Sequence, residues 1–205
     1  GDRLKLLDKV KKDMKKGKVP NRVELWDTEV NYGIKGPGKV KGKKITGGQA
    51  ADWTASTFLD SILLNVDRTY WYYWYRPDGR LGIILDNAPD GDAGRAGYQS
   101  AYDWMVGSFY SCTRGNASQP NVCQLGDANN PEIVVWNNAG VGTYTVPAGV
   151  VWQCNTLNQC SPAAPGTQLA IGGSPLWFGS QANYDKLLAK QRENGAARAA
   201  VQAQP

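Results

Sequence analysis

Two carboxylates, Asp27 and Glu29, follow a short β-prone run from Arg22 to Trp26. In parallel α/β proteins, active groups gather at the carboxyl ends of strands, where loops vary while the sheet holds them rigidly. Because side chains alternate along a strand, Asp27 and Glu29 are expected to point the same way. A carboxylate in this position is a candidate nucleophile or base, and the structural alternative is that Glu29 caps the next turn or pairs with a lysine.

An aromatic run from Tyr70 to Tyr75 is the second feature that could do chemistry. Trp71 and Trp74 could offer flat apolar platforms that pack against the CH face of a sugar ring, while Tyr72 or Tyr73 could donate hydrogen bonds. Aromatic runs are more often core than binding site, yet a small barrel interior has no room for every ring on one strand. Some of these rings are therefore expected at the mouth of a barrel or under its helices.

Alternating helices and strands are predicted around these residues. Leu4, Leu7, Val10 and Met14 recur at helical spacing between lysines, so they predict an amphipathic helix that ends near Gly17. Further helices are predicted at about 49–65 and 95–110, and strands at 22–26 and 69–75. The order helix, strand, helix, strand, helix is typical of parallel α/β proteins.

The sequence changes character at about residue 111, where short β-prone runs are separated by turns. These runs predict a small antiparallel β-domain over 111–180. Residues 181–205 are rich in Ala, Lys, Arg and Gln, and we interpret them as a solvated helical or disordered tail. The predicted strands of the β-domain are Ile133–Trp136, Thr143–Val146, Val150–Gln153, Leu169–Ile171 and Pro175–Phe178.

The four cysteines form two local couples, Cys112 with Cys123 and Cys154 with Cys160. The C-x-x-C spacing is absent and the chain has no histidine, so a zinc site is disfavoured and two disulfides are predicted. Disulfides indicate an oxidising compartment, so we expect an exported protein, extracellular or in the cell envelope, whose export signal lies upstream of Gly1. We expect no metal and no cofactor.

Charge and hydropathy limit the possible partners. The 205-residue chain carries a net charge of +5, with basic residues concentrated in Lys5–Lys18 and Lys35–Lys44. These stretches are too short to follow a nucleic-acid backbone, and we interpret them as solvated surface, with binding of phosphate or an anionic polymer as the alternative. No segment is long and apolar enough to span a bilayer. We therefore expect neither nucleic acid nor a membrane span.

A resemblance to a known family is carried by Trp26 to Gly33, which reads Trp-Asp-Thr-Glu-Val-Asn-Tyr-Gly. This segment resembles the seventh-strand motif of the (β/α)8 retaining β-glycosidases of glycoside hydrolase clan A, in which the Glu of a Thr-Glu pair is the nucleophile. The resemblance implies that Glu29 is the catalytic nucleophile. It also implies that Asn31 and Tyr32 lie at the substrate.

The resemblance continues in order along the chain. Gln49 to Ala51 opens a helix similar to the seventh barrel helix, and Tyr70 to Trp74 resembles the eighth strand, whose tryptophan commonly floors a sugar subsite. It implies this role for Trp74 first and Trp71 second. Gly97 to Tyr102 looks like the last barrel helix, and the runs after residue 132 resemble the accessory β-domain. The implied fold is α/β, the C-terminal part of a (β/α)8 TIM barrel over residues 1–110 followed by a small antiparallel, sandwich-like β-domain.

One part of the family pattern is missing. Those enzymes carry an acid/base Glu at the end of the fourth strand, and nothing before Glu29 resembles that strand. Glu24 cannot replace it, because five residues at roughly 3.3 Å each place it near the other end of the same strand. We therefore expect a partner, the N-terminal barrel half, as a separate chain or a cleaved part of the same precursor.

Two functions follow as expectations. In the first, the chain is part of a retaining β-glycosidase that hydrolyses O-glycosidic bonds of a polysaccharide or glycoconjugate and is inactive without the missing half. In the second, it is a non-catalytic carbohydrate-binding or structural protein of an envelope or virion assembly. A catalytic piece should place Glu29 in a pocket beside Trp74, whereas a scaffold can leave Glu29 paired with a lysine.

Overall fold

A computed structural model describes residues 2–36, 41–72, 81–85, 92–108, 110–126 and 129–202 of the protein. The chain divides into two units, Gly1–Tyr98 and Gln99–Pro205, and the boundary falls within the third helix. In chain order the elements are α1 (Asp2–Lys16), β1 (Trp26–Val30), α2 (Gly47–Leu63), β2 (Arg68–Trp71), α3 (Asp92–Met105), β3 (Ser111–Thr113), β4 (Asn121–Gln124), β5 (Glu132–Trp136), β6 (Gly142–Thr145), β7 (Trp152–Asn155), β8 (Cys160–Pro162), β9 (Gln168–Ile171), β10 (Leu176–Gly179) and α4 (Gln181–Gln202).

Helix α1 is amphipathic, as its apolar spacing predicts. Leu7 is buried against Leu64 and Val66 of the segment that follows α2, and Leu4 packs beside it. The helix ends when the N–H of Gly17 bonds to the carbonyl of Asp13 and the chain turns. Burial of one apolar stripe therefore fixes α1. Lys11 donates to the carbonyls of Leu64 and Asn65, while the other lysines of the helix are exposed.

The first unit is built on a parallel βαβ motif. Strands β1 and β2 are parallel neighbours, and α2 forms the crossover between them. This arrangement confirms the predicted order of helices and strands for residues 2–72 and 92–105. Since a barrel needs many more strands than this pair, the (β/α)8 part of the expectation remains a prediction.

Strand β1 lies later in the chain than predicted. The sequence predicts Arg22 to Trp26, but the parallel ladder begins with Trp26 opposite Arg68 and continues to Val30. Just before it, the N–H of Leu25 donates to the carboxylate of Asp67 at 2.6 Å. Pairing with β2 therefore decides where the strand starts, so Asp27 and Glu29 lie within the strand and not beyond its end.

The second unit contains an antiparallel sheet, as predicted, with more strands than the sequence indicates. Six strands follow the order β3-β4-β5-β10-β7-β8, and β6 pairs separately with β9. Five of the strands match the predicted runs to within about two residues. Strands β3, β4 and β8 are short and polar, so alternation of apolar residues gave no signal for them. The core between the six-stranded sheet and the β6–β9 pair contains Ile133, Val135, Val146, Val150, Ile171 and Phe178.

Both predicted disulfides form, Cys112 with Cys123 and Cys154 with Cys160. Each joins directly opposed residues of an outer strand and its neighbour, β3 with β4 and β7 with β8. Short edge strands are the part of a sheet most easily lost or mispaired. The two bonds therefore hold both edges of the six-stranded sheet, and they are compatible with export.

Among the residues that the structure describes, none of the helices carries an apolar stretch of the length needed to cross a bilayer.

The chain beyond β10 forms helix α4, which packs against the rest of the second unit. The sequence predicts a solvated helical or disordered tail there. In the structure Leu187 is buried, Tyr184 stacks on Trp152 with ring centroids 4.2 Å apart, and the Asn183 side chain donates to the carbonyl of Asn130 at 2.9 Å. These contacts need strands from distant parts of the chain, so local composition could not reveal them.

Lys190 of α4 caps the C-terminal end of α3. Its ammonium group donates to the carbonyls of Asp103 at 2.7 Å and Val106 at 2.6 Å. The last carbonyls of a helix lack partners within the helix, and a cation placed there also complements the helix dipole. Partial burial lowers the pKa of Lys190, and the nearby Asp103 and Glu132 carboxylates oppose that shift.

We expect Lys190→Met to lower the free energy of unfolding by about 1–2 kcal/mol, because two carbonyls lose a charged donor. Urea denaturation of the full chain followed by circular dichroism measures the change. Arg192→Met, which removes a cation two residues later on the same helix at an exposed position, is the matched control. Equal midpoints for the two variants would contradict the capping role.

Candidate functional site

The carboxyl end of β1 carries a bulge that contains Glu29. Asp27 pairs with Thr69 and Val30 pairs with Trp71, so two residues of β1, Thr28 and Glu29, oppose the single residue Tyr70 of β2. A bulge interrupts the alternation of side chains and re-aims those next to it. Because of the bulge, Asp27 and Glu29 are not held to the same side of the strand, although simple alternation predicts that they share one side.

The two carboxylates have different environments. Asp27 is half-buried and forms an ion pair with Arg3 of α1, with 2.7 Å between the Arg3 guanidinium and the Asp27 carboxylate. The same guanidinium donates to the Ser61 hydroxyl at 2.7 Å and to the Thr57 carbonyl at 3.2 Å. Asp27 thus joins β1 to two helices, whereas Glu29 is exposed to solvent.

One face of the β1–β2 pair carries exposed aromatic rings, which we call the open aromatic face. It consists of Trp26 and Tyr70, whose ring centroids are 6.2 Å apart, with Arg68 lying 4.7 Å from the Trp26 ring. Trp26 is 47% exposed and Tyr70 45%. Glu24 accepts a hydrogen bond from the Trp26 indole at 2.6 Å and lies 3.8 Å from Arg68. Two flat rings are thus presented beside groups that can donate and accept hydrogen bonds.

The sequence did not single out Trp26 and Tyr70 as binding residues. It favoured Trp74 first and Trp71 second, and alternation places Trp71 on the opposite side of β2 from Tyr70. The structure starts β2 at Arg68, and from that register Arg68, Tyr70 and Tyr72 share one face. The cation followed by tyrosines two and four residues later was the available signal.

Trp71 and Tyr32 lie in an aromatic cluster under the sheet. The Tyr32 ring meets the Trp53 ring edge-on at 5.2 Å and lies 6.2 Å from Trp71, which in turn approaches Phe58 at 6.4 Å. The Tyr32 hydroxyl lies 2.8 Å from that of Thr57, which itself donates to the Trp53 carbonyl. Burial raises the pKa of Tyr32, so this hydroxyl stays neutral. In this position Trp71 and Tyr32 pack against α2.

Asn31 connects the two strand ends to the segment 81–85. Its amide nitrogen donates to the carbonyls of Tyr72 at 2.7 Å and Ile83 at 2.8 Å. Its amide oxygen accepts from the N–H groups of Tyr32 at 2.7 Å and Ile83 at 3.2 Å. These four bonds use the full capacity of a carboxamide, so a bond to a substrate requires one of them to break.

Trp74, the first choice for a sugar platform, lies outside the described residues, and so does part of the lysine-rich segment 35–44. The expected pocket that joins Glu29 to Trp74 therefore stays a prediction. Among the described residues, no group of three or more His, Cys, Asp or Glu side chains is placed to hold a metal ion. What the structure brings together is an exposed carboxylate, Glu29, opposite Tyr70 in the ladder.

Comparisons with known proteins give no family. No protein-family model and no curated protein matches the chain. Among solved structures, the glycoside hydrolase family 30 subfamily 8 xylanase Xyn30A from Clostridium acetobutylicum is similar, with 16% identity and a TM-score of 0.41. The match covers 76% of this chain and 42% of the xylanase chain, so this chain spans less than half the length of that protein. Similarity at this level does not assign the chain to a family, and its function has to be argued from the site.

We expect Asn31→Asp to lower the free energy of unfolding by about 2–3 kcal/mol, because a carboxylate oxygen would face two backbone carbonyls. Glu29→Gln, two residues away and exposed, should change it by no more than about 0.5 kcal/mol. Urea midpoints for the two variants provide the measurement. If the Asn31→Asp variant unfolds at the same urea concentration as the wild type, the structural role of Asn31 is contradicted.

Proposed function

We propose that this chain is part of a retaining β-glycosidase that hydrolyses O-glycosidic bonds of a polysaccharide or glycoconjugate, with Glu29 as the nucleophile. The observation that carries the proposal is the exposed Glu29 carboxylate in the bulge near the carboxyl end of β1, opposite Tyr70. Bulges are enriched beside active sites, where they re-aim a side chain. A carboxylate so placed can attack the anomeric carbon and form a glycosyl-enzyme intermediate that water then hydrolyses.

The open aromatic face supplies the groups that hold a sugar. The Trp26 and Tyr70 rings can pack against the CH face of a pyranose, which is apolar although its edge is polar. Arg68 donates hydrogen bonds and Glu24 accepts them at the rim of the rings. Because Trp26 opens β1 and Glu29 lies near its carboxyl end, this face would hold a sugar next to the one that reacts and so position the glycosidic bond.

The second carboxyl group of the reaction has to come from elsewhere. Retaining hydrolysis needs an acid/base about 5–5.5 Å from the nucleophile. Asp27 is held by Arg3 on the helix side, and Glu24 lies before β1 begins, at the other end of the strand from Glu29. We therefore propose that a partner, the N-terminal half of a barrel, provides the acid/base and that this chain alone does not turn over.

A specific observation favours a second candidate, a non-catalytic carbohydrate-binding or structural protein. The open aromatic face combines the rings of Trp26 and Tyr70 with the polar groups of Arg68 and Glu24. Binding to these groups needs no acid/base carboxylate near Glu29. Such a surface binds a glycan without cleaving it. The two candidates differ in whether Glu29 reacts.

Covalent labelling distinguishes them. We expect 2,4-dinitrophenyl 2-deoxy-2-fluoro-β-glycosides to label the full chain on Glu29. The nucleophile and the rings of the open aromatic face both lie on this chain, and this leaving group needs no acid catalyst for the first step, so the partner's acid/base is not required for labelling. Intact mass spectrometry should register one added fluoroglycosyl group, and peptide mapping should place it on the peptide that contains Glu29. Glucoside, xyloside, galactoside and mannoside reagents are each used, so that the labelling also identifies which sugar the chain accepts.

Matched variants make the labelling test specific. Glu29→Gln should abolish the adduct, while Asp13→Asn, at an exposed carboxylate of α1, should keep it. A chain that none of the reagents labels, or that is labelled on another residue, contradicts the catalytic role. Glycan binding that is lost in Trp26→Ala and unchanged in Glu29→Gln would then support the binding protein.

A further inference from the structure

A cavity lies in the β-domain, and all the residues that line it belong to the unit 99–205. It has a volume of about 590 Å³ and is formed where β3, the end of β4 and the start of β5 meet helix α4. Ligand sites of proteins typically enclose about 300–1,000 Å³ and combine apolar surface with a few converging polar groups. The side chains that matter for recognition here are Tyr110, Gln124, Glu132 and Lys186.

Glu132 is held in place from below by a buried indole. The Trp177 N–H donates to one Glu132 carboxylate oxygen at 3.0 Å, and the Trp177 side chain is fully buried. Gly179, the ladder partner of Glu132, makes this possible, because a Cβ there would come within 2.2 Å of the indole ring. The carboxylate is therefore pre-oriented by a rigid donor, which reduces the entropy lost when a ligand binds to it.

The charged side chains that line the cavity are the Glu132 carboxylate and the Lys186 ammonium, which are opposite in sign. Burial raises the pKa of Glu132, while the Trp177 hydrogen bond and the positive charges of Lys186 and Lys190 oppose that shift. Lys190 is outside the lining and donates to the Asp103 and Val106 carbonyls, so one carboxylate and one ammonium line the cavity, which gives it little preference for a charged ligand. A half-buried titratable group in a cavity is also a common mark of a binding site.

The remaining groups favour a ligand with many hydroxyls. Tyr110 lines the cavity and is 49% exposed, and Gln124 and Ser111 are at exposed positions of the wall. Asn183 is buried and its amide nitrogen is used by the carbonyls of Asn130 and Pro131, so it shapes the wall. An aromatic ring beside a fixed acceptor and neutral donors matches the apolar face and polar edge of a sugar.

We propose that this cavity is a carbohydrate-binding site for a neutral glycan, with Glu132 accepting hydrogen bonds from sugar hydroxyls and Tyr110 stacking on a sugar ring. The site uses none of the residues around Glu29. It would anchor the protein on a polysaccharide by a module that performs no chemistry. Its existence does not depend on whether Glu29 is a nucleophile.

Affinity electrophoresis of the full chain in gels that contain xylan, glucomannan or mixed-linkage β-glucan tests the proposal. We expect at least one polysaccharide to retard the wild-type chain, and Tyr110→Ala and Glu132→Gln each to weaken binding by about tenfold or more. Glu132→Gln keeps an acceptor for the Trp177 indole, and Tyr110 is exposed, so both variants should fold. Thermal melting checks this directly.

Control variants separate this site from the one around Glu29. Glu193→Gln, an exposed carboxylate farther along α4, should bind as the wild type does. Trp26→Ala, on the open aromatic face, should leave at least part of the retardation intact. The proposal is overturned if none of the three polysaccharides retards the chain, or if Tyr110→Ala and Glu132→Gln are retarded as strongly as Glu193→Gln.

Discussion

The carboxamide of Asn31 makes four hydrogen bonds at the point where the parallel strands β1 and β2 end. They fix the backbone of Tyr32, Tyr72 and Ile83 relative to one another, although Ile83 lies 52 positions beyond Asn31 in the chain. A parallel pair has no hairpin to hold its strand ends together, so a side chain has to do it. The bulge that contains Glu29 is separated from Asn31 only by Val30, and its geometry depends on the strand ends being held.

The two faces of the β1–β2 pair differ in their surroundings, because one packs against helices and the other is open to solvent. On the helix side, the Arg3–Asp27 ion pair and the cluster of Tyr32, Trp53 and Trp71 bind the sheet to α1 and α2. The Trp71 indole N–H is buried there without a hydrogen-bond partner among the described residues, a cost that tight ring packing has to offset. On the other side, Trp26 and Tyr70 remain exposed. The same strands thus anchor the first unit on one face and leave two aromatic rings exposed on the other.

In the second unit, additional contacts stabilise a small sheet whose edge strands are short. Disulfides join both outer strands to their neighbours, and α4 contributes Leu187 and Tyr184 to the packing. Lys190 satisfies the end of α3 from the same helix. Because the edges and one helix end are secured in this way, the cavity around Glu132 rests on a rigid wall.

The sequence by itself determined the elements whose signals are local. Apolar spacing specified α1, the change of pattern near residue 111 marked the β-domain, and cysteine spacing gave both disulfides. Five of the strands in the β-domain followed from runs of β-branched and aromatic residues. These signals suffice because helix periodicity, strand propensity and short disulfide loops depend on neighbours in the chain.

Only the tertiary structure decided the register of β1, the bulge at Glu29 and the faces on which the aromatic rings lie. A strand's limits depend on its partner, and a one-residue change of register exchanges its two faces. For that reason Trp71, favoured from the sequence, packs against α2 while Trp26 and Tyr70 are exposed. The docking of α4 and the Trp177–Glu132 contact were equally beyond the sequence, because both join segments that only folding brings together.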